Sequence, residues 1–562
     1  MAALERGSDG RRGARVSQPD AVTAVVPGQR RDHPDGPARR RIPPPAAWLP
    51  ALTRRRWAVA AALTAIGGLA LLVRSWRIDL FGFNSDEVVY AGQAASLAGN
   101  PGYADLFPVF RAHPMLFQAL LSPLLRVGEV GMGGRWVVAA IGVLTVLAVY
   151  PLGARLYGRR VGLLAALLLA VMPYHVIVTR QILLDGPMVL LSTLTLYCMV
   201  RYVQRQELAW YLATAGMLGL TMLAKETSVV LAGSVYAFLA LTPRVRRPVR
   251  ATLLALPVLA VVFAAHPVSQ ALAGGSNSGR NYLVWQLFRR PNHPMSFYLE
   301  NVPTAMGVLL LVAAAGGLWW ARRRNGWRET LLLSWIAVPV VFFQLWPVKG
   351  FQYLLPVAVP VVLLGARALV LLPVPTRLRW PGRGGPARPV PARAGWLVRL
   401  AAVGLVASTL AASSWDAVSH QGSSTFLAGS GGVPGGREAG HWITEHTPEG
   451  SVILTLGPSM SNIVRFYSQR QSYGLSVSPN PLHRNPSYVP LNNPDGWLRN
   501  NNLHYVVWDS FSARRSPFFA DRLMTLVRRY HGRVVHTEYV GTTGASGRVT
   551  PVPVVVVYEV RP

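Results

Sequence analysis

Uninterrupted apolar stretches of roughly 17 to 23 residues recur along the first three quarters of this sequence, each long enough to cross about 30 Å of hydrocarbon as a helix. They lie near 57–74, 135–154, 161–179, 182–200, 209–224, 227–242, 252–272, 302–320, 330–347, 351–372 and 396–413. A bilayer interior offers the backbone no water to bond with, so such runs must be helical. The chain therefore reads as a polytopic all-α membrane protein with about eleven spans. A further apolar run, 114–125, makes only about 18 Å of helix and is expected to be juxtamembrane or re-entrant.

The formal charge of +32 raises the question of nucleic acid, but the basic residues form no single stripe. They sit in short clusters between the apolar runs, in a chain that is 51% hydrophobic and 14% charged, which is a topology signal and argues for no nucleic-acid partner. Short cytoplasmic loops retain positive charge. With the basic, Pro- and Gly-rich tail 1–56 disordered and cytoplasmic, the parity of the spans puts Arg155/Arg159/Arg160, Arg201/Arg205, Arg244/Arg246/Arg247/Arg250 and Arg322/Arg323/Arg324/Arg328 on the cytoplasmic side too. Counting 114–125 as a full crossing would put every one of these clusters outside. The run from Trp57 follows too long a tail to be a cleaved signal peptide and reads as a retained anchor.

The same parity divides the chain into a membrane core, 57–372, with an outer loop at 75–134, a cytoplasmic Pro/Arg linker at 373–395, a last span at 396–413 and an extracytoplasmic domain at 414–562. In that last region, 451–456, 504–508, 533–539 and 551–559 read as strands, while 436–446 and 517–530 read as helices, so a small α/β domain is expected. No Gly-rich phosphate loop opens any of its helices. The Asn/Pro-rich stretch 478–502 reads as a long surface loop. The single cysteine, Cys198, lies within an apolar run, so the domain must hold by packing without an intramolecular disulfide.

Polar residues other than the cytoplasmic arginines collect in the connections that parity makes outer. The first carries Asp86, Glu87, Tyr90 and His113; later ones carry His175, Arg180 and Asp185, then Lys225 and Glu226, then Arg280, Arg289, Arg290 and His293. Charge against hydrocarbon costs several kcal/mol unless paired or hydrated, so a site at the outer membrane boundary explains the gathering. Lys225 is one of only two lysines, the other being Lys349.

Each of these groups has a structural reading beside the chemical one. Asp86 and Glu87 open an amphipathic helix, 86–98, where Ser85 or Asp86 serves as cap, or one of them is a general base for an acceptor hydroxyl. Lys225 pairs with Glu226, or is a cation for a phosphate leaving group. Arg180 and Asp185 pair across about one helical turn, or face a substrate. His113, His175 and His293 share no helix at ligand spacing, so hydrogen bonding fits them better than metal ligation. A divalent cation beside Asp86 or Glu87 is the one cofactor still open.

The ordered set Asp86-Glu87, Tyr90-Ala91, His113-Pro114, Arg155-Leu156-Tyr157-Gly158, Arg180 with Asp185, Ala224-Lys225 and Gln352-Tyr353-Leu354-Leu355-Pro356 resembles the dolichyl-phosphate-mannose protein mannosyltransferase and lipid A aminoarabinose transferase superfamily. The resemblance covers roughly residues 57–372. It implies the C-type glycosyltransferase fold, a polyprenyl-phosphate-sugar donor, a protein or glycolipid acceptor and inversion at the anomeric carbon. It further implies that Asp86 is the acidic catalytic residue, that Lys225 holds the donor phosphate and that Arg280 or Arg289 is the basic residue of a later outer loop; the site so read takes Arg180 as a further candidate for the phosphate and Tyr90, His113, Asp185 and Glu226 as the cavity lining. One departure stands out: the aminoarabinose branch has Asp-Glu-x-Arg-Tyr, and Val89 occupies the arginine position here. The rival class is a transporter or lipid flippase, against which stand the lack of an inverted repeat and of an acidic residue at the centre of a span.

Overall fold

The computed structural model describes residues 45–562 except 110–112, 126–129, 246–248, 273–284, 287, 322–325, 375–376, 379–387, 390–391, 420–431, 486–487, 544–548 and 562. Contacts divide the chain into Met1–Ala58 and Val59–Pro562. Most of the tail expected over 1–56, most of the linker at 373–395, and Arg280 lie outside the described residues.

Among the described residues, seven continuous helices are long and apolar enough to cross a membrane: Arg56–Ser75, Met132–Tyr157, Asp185–Arg205, Val249–Leu272, Trp327–Leu345, Phe351–Val370 and Arg393–Ser419. Each coincides with an expected span. The other four expected spans take shorter or broken forms. The run 161–179 is divided into Arg159–Ala170 and Pro173–Val178, because Pro173 has no amide hydrogen to continue the first helix. Leu208–Ala224 and Glu226–Leu241 are short apolar helices, and Phe297–Met306 bends by 95° into Val308–Trp319. The protein is thus a multi-pass helical membrane protein, and the partial helix expected at 114–125 is seen as Leu116–Leu125.

Small residues let these helices approach closely. Between α1 (Met132–Tyr157) and α2 (Arg159–Ala170), a Cβ on Gly153 would stand 2.8 Å from the Gly162 Cα, so the two glycines permit the contact. Arginines at the ends of these helices contact polar and aromatic neighbours. Arg155 Nε donates to the Tyr197 hydroxyl at 3.2 Å, Gln204 donates to the Arg155 carbonyl, and Arg201 lies 4.7 Å from the Trp210 ring. Arg367 pairs with Glu329, which also accepts from the Tyr157 hydroxyl.

The C-terminal region forms a five-stranded sheet from Val452–Thr455, Gln471–Gly474, Tyr505–Asp509, Arg533–Thr543 and Val549–Glu559. Named β1 to β5 in that order, they lie side by side as β2-β1-β3-β5-β4, with β1 parallel to both neighbours and the remaining pairings antiparallel. Four strands and the helices Gly436–His446 and Pro517–Arg529 match expectation. The helix Pro458–Ser468 and the four-residue β2 were not anticipated. Pro458 opens that helix at a position where no amide hydrogen is needed. Its buried Met460, Ile463, Val464 and Phe466 give it an apolar face.

This face of the domain rests on the loop after the first span. Phe83 N donates to the Tyr467 hydroxyl at 3.0 Å, the Tyr103 hydroxyl donates to the Phe466 carbonyl at 3.3 Å, and Arg437 donates to the Asp79 carbonyl at 2.9 Å. Phe83 meets Phe466 edge to face, with centroids 5.6 Å apart, and Asn462 Nδ2 donates to Ser85 Oγ at 3.1 Å.

Candidate active site

The first candidate carboxylates open a helix, Ser85–Leu97, whose cap is Asn84 rather than Ser85 or Asp86. The Asn84 side chain accepts from the Asp86 and Glu87 amides at 2.9 and 3.0 Å, and the Glu87 carboxylate accepts from Asn84 N at 3.1 Å. This is a capping box, and it fixes both carboxylates in space. Successive residues on a helix point about 100° apart, so the two carboxylates face different surroundings. Glu87 is buried and Asp86 is half-buried.

Glu87 faces Arg135. Arg135 Nε and Nη2 each donate to one Glu87 oxygen at 2.8 Å, and Ile182 N adds a third donor at 3.0 Å. Arg135 also donates to the carbonyls of Ile78, Phe81 and Gly82 and lies 4.4 Å from the Phe83 ring. Both Glu87 oxygens are therefore committed to the frame that carries Asp86. They do not fit a divalent ion, and among the described residues no group of three or more His, Cys, Asp or Glu side chains could hold a metal.

The Lys225 ammonium meets Asp185, not Glu226, at 2.8 and 2.7 Å from its two oxygens, with both side chains buried. Lys225 also lies 5.2 Å from the centroid of Tyr353. Glu226 turns instead to His113, whose Nδ1 is 3.1 Å from both its oxygens. Burial alone would lower the His113 pKa, but the Glu226 carboxylate against it, helped by Asp86, carries it above the usual imidazole value. Tyr90 packs edge-on against His113, with centroids 5.8 Å apart.

These pairs form one cluster. Asp86 acts electrostatically on His113, Asp185 and Tyr353, and Tyr353 also feels Lys225, Arg289 and Glu226. Arg289 itself donates to Gln286 at 3.2 Å and lies 4.4 Å from the Trp285 ring. Five separate stretches of sequence thus bring Asp86, His113, Asp185, Lys225, Glu226 and Arg289 within electrostatic reach of one another or of Tyr353.

Arg180 is turned elsewhere. It donates to the carbonyls of Val73, Trp76 and Arg77, satisfying the end of the first span, and makes no pair with Asp185. His175 Nδ1 accepts from the buried Arg74 at 2.6 Å, while Arg74 also donates to Thr179 and to two carbonyls. Lys349 is buried, donating to the Trp346 carbonyl at 3.1 Å.

Three residues of the arrangement escaped the sequence reading. Arg135 was counted only as the start of an apolar run. Asn84 carried a usable signal, since Asn followed three residues later by Glu is a capping-box pattern. Tyr488, in the long loop between β2 and β3, carried none: only the fold brings it within electrostatic reach of Asp86 and Arg289.

Residues 112–269 match the family model described as dolichyl-phosphate-mannose-protein mannosyltransferase. That stretch holds His113, Asp185, Lys225 and Glu226 but not Asp86. No curated protein matches the chain in sequence. Among solved structures, ArnT from Cupriavidus metallidurans in the apo state matches with a TM-score of 0.62 at 16% identity, covering 90% of this chain and 98% of that one. The same protein bound to undecaprenyl phosphate matches with a TM-score of 0.60 at 17% identity, covering 89% and 98%. The Archaeoglobus fulgidus oligosaccharyltransferase tethered with an acceptor peptide matches with a TM-score of 0.56 at 16% identity, covering 88% and 74%. The family model agrees with the resemblance read from the motifs over residues 112–269, and the chain shares the fold of these solved structures, with a small C-terminal sheet domain.

Proposed function

We propose that this protein is a membrane glycosyltransferase that moves a sugar from a polyprenyl-phosphate-linked donor to an acceptor hydroxyl at the non-cytoplasmic face, inverting the anomeric carbon. The observation that carries this reading is the meeting of a half-buried carboxylate, Asp86, with the buried Lys225–Asp185 pair and Arg289 around Tyr353. The match of fold to a protein bound to undecaprenyl phosphate supports a lipid phosphate as the donor's carrier.

Asp86 is the general base. An acceptor hydroxyl attacks the anomeric carbon from the face opposite the phosphate, and its proton passes to Asp86 as the new C–O bond forms. The bond from the anomeric carbon to the phosphate oxygen breaks, and the oxygen leaves with the electron pair as polyprenyl phosphate. Lys225 alone does not offset that charge, because Asp185 already neutralises it. Arg289 supplies the additional cation, and both positive groups act on Tyr353. Glu87 acts through position only, holding the first turn of the Asp86 helix against Arg135. The basic clusters support a cytoplasmic position for the opposite ends of the spans, and on that reading the cluster and the C-terminal domain lie at the non-cytoplasmic face of the cell membrane.

The test uses purified full-length protein in lipid discs with a panel of polyprenyl-phosphate hexoses and pentoses, following loss of donor and appearance of free polyprenyl phosphate. Asp86→Asn should lower turnover by about 10² to 10⁴-fold, the usual worth of a positioned base, at unchanged thermal stability. Wild-type turnover in this variant would overturn the base assignment. Solute flux through the wild-type protein without any sugar transfer would favour a transporter instead.

A further inference from the structure

The C-terminal domain has no chemistry assigned to it, yet its sheet has the topology that builds ligand sites. The chain passes from β1 to β2 on one side and then crosses to β3 on the other, and both are parallel to β1. In open α/β sheets a crevice forms outside the carboxyl ends of the strands where the order reverses in this way. A cleft of about 620 Å³ lies at that edge, within the range of about 300–1,000 Å³ usual for small-molecule sites. Residues 475–479, which follow directly on β2, form one part of its wall, and Phe519 and Arg522 of the helix Pro517–Arg529 form another. Ser476 belongs to the strand edge itself, its amide donating to the Leu456 carbonyl at 3.1 Å just past β1.

The outer loop before Phe297 closes the other side with Trp285, Phe288, Arg289 and Arg290. Both walls are tied by hydrogen bonds to the elements that carry the candidate active site. Asn292 Nδ2 donates to the Lys349 carbonyl and Lys349 N donates to Asn292 Oδ1, both at 2.8 Å, and the turn Phe351–Val357 that follows carries Tyr353 to 5.2 Å from the Lys225 ammonium. On the domain side, the helix Pro458–Ser468 leaves the same strand edge, and its Asn462 donates to Ser85 Oγ beside Asp86.

The charge of the cleft points to its ligand. Arg289, Arg290 and Arg522 line it, and no aspartate or glutamate does among the described residues. Nor does any carboxylate among the described residues pair with these three arginines. Cations brought to one cleft from two distant parts of the chain repel one another, and an anion bound between them removes that repulsion. The rest of the lining suits a sugar: Trp285 and Phe519 offer flat apolar faces to the C–H side of a ring, and Asn492 and Ser476 offer polar groups to its hydroxyls. A nucleotide fits less well, because the helix after β1 opens on Gly457-Pro458 with no glycine-rich turn to bring amides to a phosphate.

We propose that this cleft binds an anionic saccharide, a sugar bearing phosphate or carboxylate whose charge meets Arg290 and Arg522, and that this saccharide is the acceptor. The second half rests on the glycosyltransferase reading above; the first does not.

Full-length protein in lipid discs is titrated with glucose 6-phosphate, glucuronic acid, glucose and inorganic phosphate, and separately with undecaprenyl phosphate. Wild type is compared with the double variant Arg290→Gln/Arg522→Gln, whose two side chains are exposed, so that their loss leaves the fold intact. At least one charged sugar should bind about tenfold or more tighter than glucose, and which one does so identifies the anionic group. The double variant should weaken that sugar at least about tenfold, as expected for losing charge-assisted bonds, with undecaprenyl phosphate affinity unchanged. Glucose bound as tightly as both charged sugars, or a charged sugar that the double variant binds like wild type, overturns the anionic site. Inorganic phosphate bound as tightly as glucose 6-phosphate overturns the saccharide. A parallel loss of undecaprenyl phosphate affinity overturns the proposal by placing these arginines at the donor. Charged sugars bound as expected by a wild-type protein that does not bind undecaprenyl phosphate would uphold the cleft and overturn the glycosyltransferase reading, and with it the acceptor role.

Discussion

Glu87 and Arg135 meet at two points, Nε to one carboxylate oxygen and Nη2 to the other, both at 2.8 Å, in a pair closed to solvent one residue along from Asp86. Neighbouring carboxylates in the sequence thus have different surroundings: Glu87 is enclosed by donors, and Asp86 is half-buried.

That division predicts different failures for the two. Glu87→Ala leaves the Arg135 guanidinium buried without its counter-ion, at a cost of about 3–5 kcal/mol. Thermal unfolding of the purified protein should fall sharply, with activity lost in proportion to the fraction unfolded. Asp86→Asn should melt like wild type and yet not turn over. Equal melting points for the two variants would show that the pair with Arg135 holds nothing in place.

The Lys225–Asp185 pair makes a second prediction. Lys225→Met strands Asp185 as a buried charge, and Asp185→Leu strands Lys225, so each single change should destabilise by about 3–5 kcal/mol. The double change removes both charges and should recover most of that loss, because well-packed apolar side chains often replace a buried pair at little cost. It should not recover undecaprenyl phosphate binding, measured by titration. Binding restored along with stability would mean that Lys225 does not meet the phosphate.

How much of this was legible in the sequence depends on the length scale of the signal. Span-length apolar runs state their own structure, and seven of them appear as continuous helices. Pro173 in the run 161–179 was visible, but hydropathy averages over a proline and so cannot see the break it imposes. The candidate site was legible as a set of residues and not as a set of partners. Lys225 adjoins Glu226 in sequence and yet pairs with Asp185, forty positions away, because adjacent residues at a helix junction point in different directions. Arg180 sits among the candidates by sequence, and the unsatisfied carbonyls that claim it belong to the first span, more than a hundred positions earlier. Tyr488 was beyond reach, since only the docking of the C-terminal domain brings it within electrostatic reach of Asp86 and Arg289.

His113 and Glu226 give a pH dependence whose sign follows from the geometry. Burial lowers the imidazole pKa, but Glu226 outweighs it and the folded value stands above that of an unfolded histidine. The pair's contribution is therefore fully present below about pH 6.5 and is lost as pH rises through the raised folded value. Both side chains are one-fifth exposed, so the contribution should be on the order of 1 kcal/mol. The melting temperature of wild type minus that of His113→Gln should be positive at pH 6 and shrink toward zero above the folded pKa. A difference that stays constant with pH would exclude the ion pair.

Asp509 makes the opposite case, within the C-terminal domain. It caps the short helix Ser510–Arg515, Oδ1 accepting from Ser512 N at 2.7 Å, while Oδ2 is buried and finds no partner among the described residues. Burial raises its pKa from 3.8 to about 6 against the help of its hydrogen bonds. A carboxyl whose folded pKa is raised favours the native state most when protonated. Stability is then greatest below the unfolded value, declines as pH climbs from about 4 to about 6, and is flat above. A displacement of about two pH units is worth at most about 3 kcal/mol. Asn keeps the capping oxygen without the charge, so Asp509→Asn should stabilise the protein at pH 7 and be nearly neutral at pH 4. Thermal unfolding of the full-length protein at the two pH values measures this, and an Asn variant that melts lower at pH 7 would show that the buried charge is compensated.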